Sequence, residues 1–331
     1  MMSNWIKKST SPVIYILSGM ILGITMLAIQ SFSERDSTEI TTNGKTVQMA
    51  EACSIPEEMI FAGEPVPLQN FDTRESLDRE LLVNAYWHSR TLLVLKKTKR
   101  YFAVIEPILK KYGIPEDFKY IPLAESGFEN TTSPVGAVGV WQFLESTGKE
   151  YGLEVNNEVD ERYHLEKSTE AACKFFLESY ALYKNWTLAA ASYNVGRKGI
   201  NYQIERQQVN NYYDLLLNEE TARYVFRVLA FKLITQNPQQ FGFHLENEDY
   251  YPPLPLYEVK VDTGISNMAD FASRYSINYK LLKLFNPWLR ESFLTNKSGK
   301  TYLIKIPEGS KRNYADFAAG INEEFNGGNP Q

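Results

Sequence analysis

The chain has 331 residues, a formal net charge of −5, 44% hydrophobic residues and 23% charged residues. That length suits about two domains with a core of ordinary size. The mild acidity argues against a nucleic-acid partner, which favours a clustered basic face. Three scattered histidines and two distant cysteines, Cys53 and Cys173, offer neither metal-ligand spacing nor a C-x-x-C pair. No metal and no cofactor are expected, and Cys173 reads as a small buried hydrophobe rather than half of a disulfide.

Lys7 and Lys8 precede an uncharged apolar run from Pro12 to Phe32. A run of this kind is long enough to span a bilayer, and the preceding positive charge predicts an exported body. Residues 1–34 are therefore expected to be a membrane anchor, with a cleaved signal segment as the alternative. Either way the body is placed in the periplasm. Residues 35–72 contain "SERDSTEITTNGK" and the proline-bearing "AGEPVPLQN" and read as a linker.

A helical texture begins at Thr73, where Leu77, Leu81, Leu82, Ala85, Leu92, Leu93 and Leu95 recur at spacings near three and four. A second helix is expected from about Lys99 to Lys111, ended by Gly113. Pro115 opens another segment, which runs to Gly127 and carries Glu125 near its end. "LEKSTEAACKFFLESYALY", "WTLAAASYNVG" (stopped by Gly196) and "EETARYVFRVLAFKLI" follow as helices. The acids that begin the last one suit the positive end of a helix dipole. No stretch from Thr73 to Phe243 reads as a sheet, and no repeat period appears.

"YYPPLPLY" marks a domain boundary. Beyond it, "YEVKVD", "SNMADFASRY", "NYKLLKLFNPWL" and "TYLIKIP" spell a β-α-α-β unit over residues 255–310, with Asn278 as a helix cap. Residues 311–331 read as a tail. The fold class is mainly α over 73–250, plus this small α+β domain.

Glu125 is the residue with a chemical question attached. From Thr131 to Gln142 there is no charged side chain. A carboxyl facing such a wall is poorly solvated, and desolvation raises its pKa. Protonated near neutral pH, it could donate to a glycosidic oxygen. Most sugar-cleaving sites use two acids, and no clear partner stands nearby. A surface glutamate at a helix end is the alternative.

Glu125-Ser126, Gly139-Val140-Trp141-Gln142 and Tyr193-Asn194-Val195-Gly196 occur in order on helical segments. Together they resemble the lysozyme-like transglycosylase domain of glycoside hydrolase family 23, over about Leu77 to Phe243. The resemblance implies Glu125 as the single catalytic acid and base. It implies substrate-binding roles for Ser126, Ser133, Gln142, Tyr193, Asn194 and Tyr224. Packing is the alternative for each, above all for Asn194 at a backbone turn. Val140 and Trp141 stand where Leu and Met or Trp are common in the family, and both are expected to keep the groove apolar. Ser192 stands where alanine usually precedes the tyrosine. Leu144-Glu145 and Glu129 bring acids near the site, and Glu129 reads as a solvated turn residue. The implied substrate is peptidoglycan, cut between N-acetylmuramic acid and N-acetylglucosamine with closure of a 1,6-anhydro ring. A hydrolytic muramidase and a non-catalytic peptidoglycan-binding scaffold are the competing functions. The C-terminal unit resembles a degenerate LysM carbohydrate-binding module, a purely structural domain being its alternative.

Overall fold

The computed structural model describes residues 40–42, 45–47 and 51–308. The expected anchor (1–34) and tail (311–331) lie outside the described residues. Among the described residues no helix is long and apolar enough to cross a membrane. The chain divides into two units, residues 1–52 and 53–331. In the first, β1 (Ile40–Thr42) pairs antiparallel with β2 (Lys45–Val47).

The second unit begins inside the expected linker. Met59, Phe61, Val66 and Leu68 are buried there. A short hairpin, β3 (Ile60–Phe61) with β4 (Glu64–Pro65), sets Phe61 against Phe118 at 5.8 Å between ring centroids. The Glu64 carboxylate accepts from the amides of Trp186 (2.5 Å) and Thr187 (3.0 Å) and so caps a helix far along the chain. The latter half of 35–72 is thus part of the folded body. Its polar, proline-bearing texture hid four apolar residues that the core buries.

Helix α1 (Phe71–Tyr86) and helix α2 (His88–Tyr112) are separated by Trp87 alone, at φ −86° and ψ 58°. The Thr91 hydroxyl donates to the Asn84 carbonyl at 2.5 Å, satisfying one acceptor freed at the break. The helix expected from Lys99 is therefore the second half of α2, which runs unbroken to a left-handed Gly113. A 3-10 turn (Glu116–Tyr120) leads into α3 (Ile121–Ser126), with Pro122 in its first turn and a left-handed Gly127 ending it.

After α4 (Glu145–Glu150) come α5 (Leu165–Tyr183), α6 (Trp186–Gln207) and α7 (Glu219–Gln236). Gly196, at φ 79° and ψ 153°, breaks the helical backbone within α6 where the sequence suggested a stop, and a second helical stretch resumes directly beyond it. No side chain but hydrogen adopts that backbone cheaply. Helix α7 starts at Asn218, whose side chain accepts from the Thr221 amide at 3.0 Å. It packs on α1, while α5 packs on α2 and α6. Leu77, Leu81, Leu95, Ile105, Phe118, Trp141, Phe176, Tyr224 and Phe231 are fully buried between these helices.

The C-terminal unit has the expected order. Strand β5 (Leu256–Val261) pairs antiparallel with β6 (Tyr302–Pro307), in register from Leu256↔Pro307 to Val261↔Tyr302. Helices α8 (Met268–Arg274) and α9 (Tyr279–Phe285) lie between them in the chain, capped by Asn267 and Asn278. So small a unit is short of its own core, and it borrows from the helical body: Val159 is buried among Met268, Phe271, Leu282, Trp288 and Ile304, and Tyr163 packs against the same cluster. Val159 bridges to Leu289, and the Asp160 amide donates to the Trp288 carbonyl at 2.9 Å. The Arg290 amide donates to the Glu158 carbonyl at 2.8 Å.

Candidate active site

Glu125 sits on the last turn of α3 and opens into a groove of about 450 Å³. One wall is the start of α2, with Trp87, Ser89, Arg90, Leu93, Val94 and Lys97; the other is formed by residues 125–127, Glu129 and Thr131. The Tyr224 phenol on α7 donates to Glu125 Oε1 at 2.7 Å. Burial pushes the Glu125 carboxyl up to about 7. The Tyr224 hydrogen bond and the Arg227 guanidinium pull it down, and Glu220 pushes it up. A carboxyl in that range gives and takes a proton at neutral pH. The neutral stretch after it is only part of the cause, because α7 supplies the phenol and the nearest charges.

Glu129 lines the same groove, but its Oε1 is bound to Lys97 Nζ at 2.9 Å, and 55% of its side chain is exposed. Lys97 also donates to the Gly127 carbonyl at 3.2 Å. Glu129 is the solvated turn residue its sequence suggested, held in an ion pair.

The other expected site residues are engaged in varied ways. Ser126 donates to the Val140 carbonyl at 2.9 Å and to the Pro122 carbonyl at 3.3 Å, tying α3 to the following loop. The Ser133 hydroxyl accepts from the Ala137 amide at 3.0 Å. Gln142, at φ 52°, donates to the carbonyls of Gly139 (2.7 Å) and Thr131 (3.2 Å). Tyr193 donates to the Trp141 carbonyl at 2.7 Å, with its ring 5.0 Å from Phe176 and 5.1 Å from Phe175. Burial, and the Glu125 charge after it, push the Tyr193 phenol well above its usual value, so it stays a donor. The Asn194 side chain accepts from the Thr221 hydroxyl at 2.9 Å, joining α6 to α7. Of these residues, only Glu125 and Ser126 line the groove itself.

Val140 and Trp141 do not line it. Both are buried, and Trp141 Nε1 donates to Thr169 Oγ1 at 2.8 Å. Their apolar character serves the core behind the wall. Glu145 is turned to Lys149, at 2.6 Å.

Sequence reasoning missed two sets of residues. The first is the α2 wall. Trp87 and Arg90 are three apart, one helical face, and Arg90 Cζ lies 4.4 Å from the Trp87 ring centroid. In sequence Leu93 reads as part of the apolar helical pattern, and the exposure of Trp87 and Leu93 that marks the wall shows only in the folded chain. The second is Arg162, paired with Asp160 at 2.8 Å with both side chains under a tenth exposed. Its Nη1 donates to the carbonyls of Gly136 and Phe143, each at 3.3 Å. The Arg162 carbonyl also abuts Gly139, where a Cβ would fall 2.1 Å from that oxygen. The 136–143 loop, to which Ser126 is tied, is thus clamped from a loop that the C-terminal unit grips.

A family model described as the transglycosylase SLT domain matches residues 103–216, and one described as the soluble lytic transglycosylase C-terminal LysM-like domain matches residues 257–310. The chain is 29% identical over 253 residues to membrane-bound lytic murein transglycosylase D of Escherichia coli K12, covering 74% of this chain and 54% of the relative. The protein of that name from Escherichia coli O6:H1 gives the same figures. The chain therefore spans about half the length of the curated relatives it matches. An inactive mutant of lytic transglycosylase Slt from Pseudomonas aeruginosa aligns at 17% identity and a TM-score of 0.33, over 46% of this chain and 26% of that one. That score is too low to carry an argument.

Proposed function

We infer, from a chain that carries a transglycosylase SLT domain followed by a soluble-lytic-transglycosylase C-terminal LysM-like domain, that this protein is a lytic transglycosylase of peptidoglycan. The observation that carries the inference is Glu125: a carboxyl poised at about 7 in a groove whose other carboxylate, Glu129, is bound to a lysine.

A single acid suffices for this reaction. Glu125 gives its proton to the glycosidic oxygen as the bond from C1 of N-acetylmuramic acid to that oxygen breaks. The sugar's own 2-acetamido group shields the positive charge at C1, a substrate-assisted exception to the two-carboxylate rule. Glu125, now ionised, takes the proton from the 6-hydroxyl as O6 bonds to C1. The 1,6-anhydro ring closes, the acid is restored, and no water is activated. Attack from within the same sugar has the advantage of proximity. Tyr224 steadies Glu125 in both protonation states, and Ser126 and Tyr193 hold the loop that faces it.

Ser133, Gln142 and Asn194 are assigned to shaping the glycan groove through the backbone they hold. The LysM-like unit contributes to holding glycan strands as well as bracing the helical body. We place the protein in the bacterial envelope, anchored by residues 1–34 with its body in the periplasm, or released there after cleavage.

Hydrolysis by water is the second reading, since Glu129 lines the same groove and could serve as a base once released from Lys97. The test of the catalytic assignment is release of soluble fragments from purified sacculi. Glu125→Gln should abolish it, and retained clearing activity would defeat the assignment.

A further inference from the structure

Arg90 is a cation without a counterion in a groove that is otherwise internally paired. Lys97, the other cation on that wall, is committed to Glu129 and the Gly127 carbonyl. Arg90 makes no hydrogen bond or ion pair with any described residue; its contact is the stack on Trp87, at 4.4 Å. A guanidinium carries five donors in a planar fork. Stacking on an indole covers its face and leaves the edge N–H groups directed outward. A half-buried fork with no acceptor has lost water without gaining a partner, a cost that a bound anion reverses. The negative charge nearest in effect is that of Glu129, already held by Lys97. Trp87 fixes the position, because it sits at the break between α1 and α2 and is half exposed into the groove.

We propose that Arg90, braced by Trp87, is a carboxylate-recognising subsite that takes the acidic substituent on the 3-oxygen of a muramic sugar. This rests on the peptidoglycan reading above and deepens it. A strand of N-acetylglucosamine alone has no such group, so the subsite selects muramyl strands over neutral glycans of the same backbone. Two sources share the chemistry: the lactyl carboxylate of a strand stripped of its peptides, and the carboxylates of an attached stem peptide. The planar fork pairs with either in bidentate fashion.

The test is equilibrium binding by the full chain carrying Glu125→Gln, with and without Arg90→Gln. The probes are peptide-bearing strands, amidase-stripped strands and neutral chitohexaose. Arg90→Gln should weaken binding of a carboxylate-bearing strand about tenfold, the size expected for a charge-assisted pair. Chitohexaose affinity should stay within about twofold, and the tenfold gap should shrink at high salt. Arg90→Lys keeps the charge without the fork and should recover part of the loss. Loss on stripped strands alone identifies the lactyl carboxylate, which is an amide wherever a stem is attached; loss on peptide-bearing strands alone identifies the stem; loss on both shows that the fork takes either carboxylate. Equal weakening of chitohexaose, or no weakening of any probe, would overturn the subsite while leaving the peptidoglycan reading intact. Failure of every strand to bind even with Arg90 present would sink that reading itself, and the subsite with it.

Discussion

The Tyr224 phenol reaches Glu125 Oε1 at 2.7 Å from a helix 99 residues further along the chain. The bond holds the carboxyl at the groove and opposes the upward push of burial on its pKa. Tyr224→Phe removes that opposition. The Glu125 pKa should rise above about 7, and the alkaline limb of the pH profile for kcat/KM should move to higher pH. The ionised acid also loses a hydrogen bond in the second half of the reaction. The rate should fall about tenfold, for a contribution of about 1.4 kcal/mol. An unshifted limb would show that the phenol does not tune the acid.

The same carboxyl links activity to stability. Its folded-state pKa is raised, from 4.5 to about 7. The folded protein therefore binds the extra proton across that interval, and stability falls as pH rises through it. Below 4.5 the cost is absent, and above 7 it is complete. Glu125→Gln should be inactive yet more stable than the parent at pH 8, by about 2 kcal/mol given the water-open groove. The difference should vanish near pH 4. Thermal unfolding of both proteins across that range checks the sign.

Asp160 and Arg162 form a buried pair with one foot on each part of the molecule: Asp160 bonds to the Trp288 backbone, and Arg162 to the 136–143 loop. Asp160→Ala strands a buried guanidinium. Stability should fall by about 3 kcal/mol. The helical body and the C-terminal unit share Val159 in one core, so both should unfold in a single shifted transition. Denaturation followed by two probes, one in each part, tests this. Separate transitions would show a detached module.

Gly139→Ala tests the clamp from the other side. Its φ is 79°, and a Cβ would stand 2.1 Å from the Arg162 carbonyl oxygen. The loop must move, and a cost of about 3 kcal/mol or more is expected. Activity should fall by at least tenfold even at temperatures where the variant is folded.

Much of this was legible because local rules agreed with the fold. Asn278 and Gly113 mark helix ends by chemistry that needs no partner in space. Glu125 stood out as an acid beside an uncharged run, and the β-α-α-β order was readable from alternation and proline. The hidden parts depend on contacts between distant segments. Glu64 caps α6 across more than a hundred residues, and nothing in "AGEPVPLQN" announces that. Trp141 looks the same in sequence whether it faces a sugar or Thr169. Arg90 gains its interest from what fails to lie beside it, which spacing alone does not report. Gly196 marks a real break in the helical backbone, but its sequence does not report that a second helix resumes directly beyond it.

The chemistry of the cut end tests the central claim most directly. Purified sacculi are digested with the full chain and the muropeptides weighed by mass spectrometry. If Glu125 works alone and the sugar's 6-hydroxyl is the nucleophile, the new muramyl ends will be 1,6-anhydro, lighter by one water than reducing ends. Reducing ends alone would mean that water attacks and a second base is at work, contradicting the account.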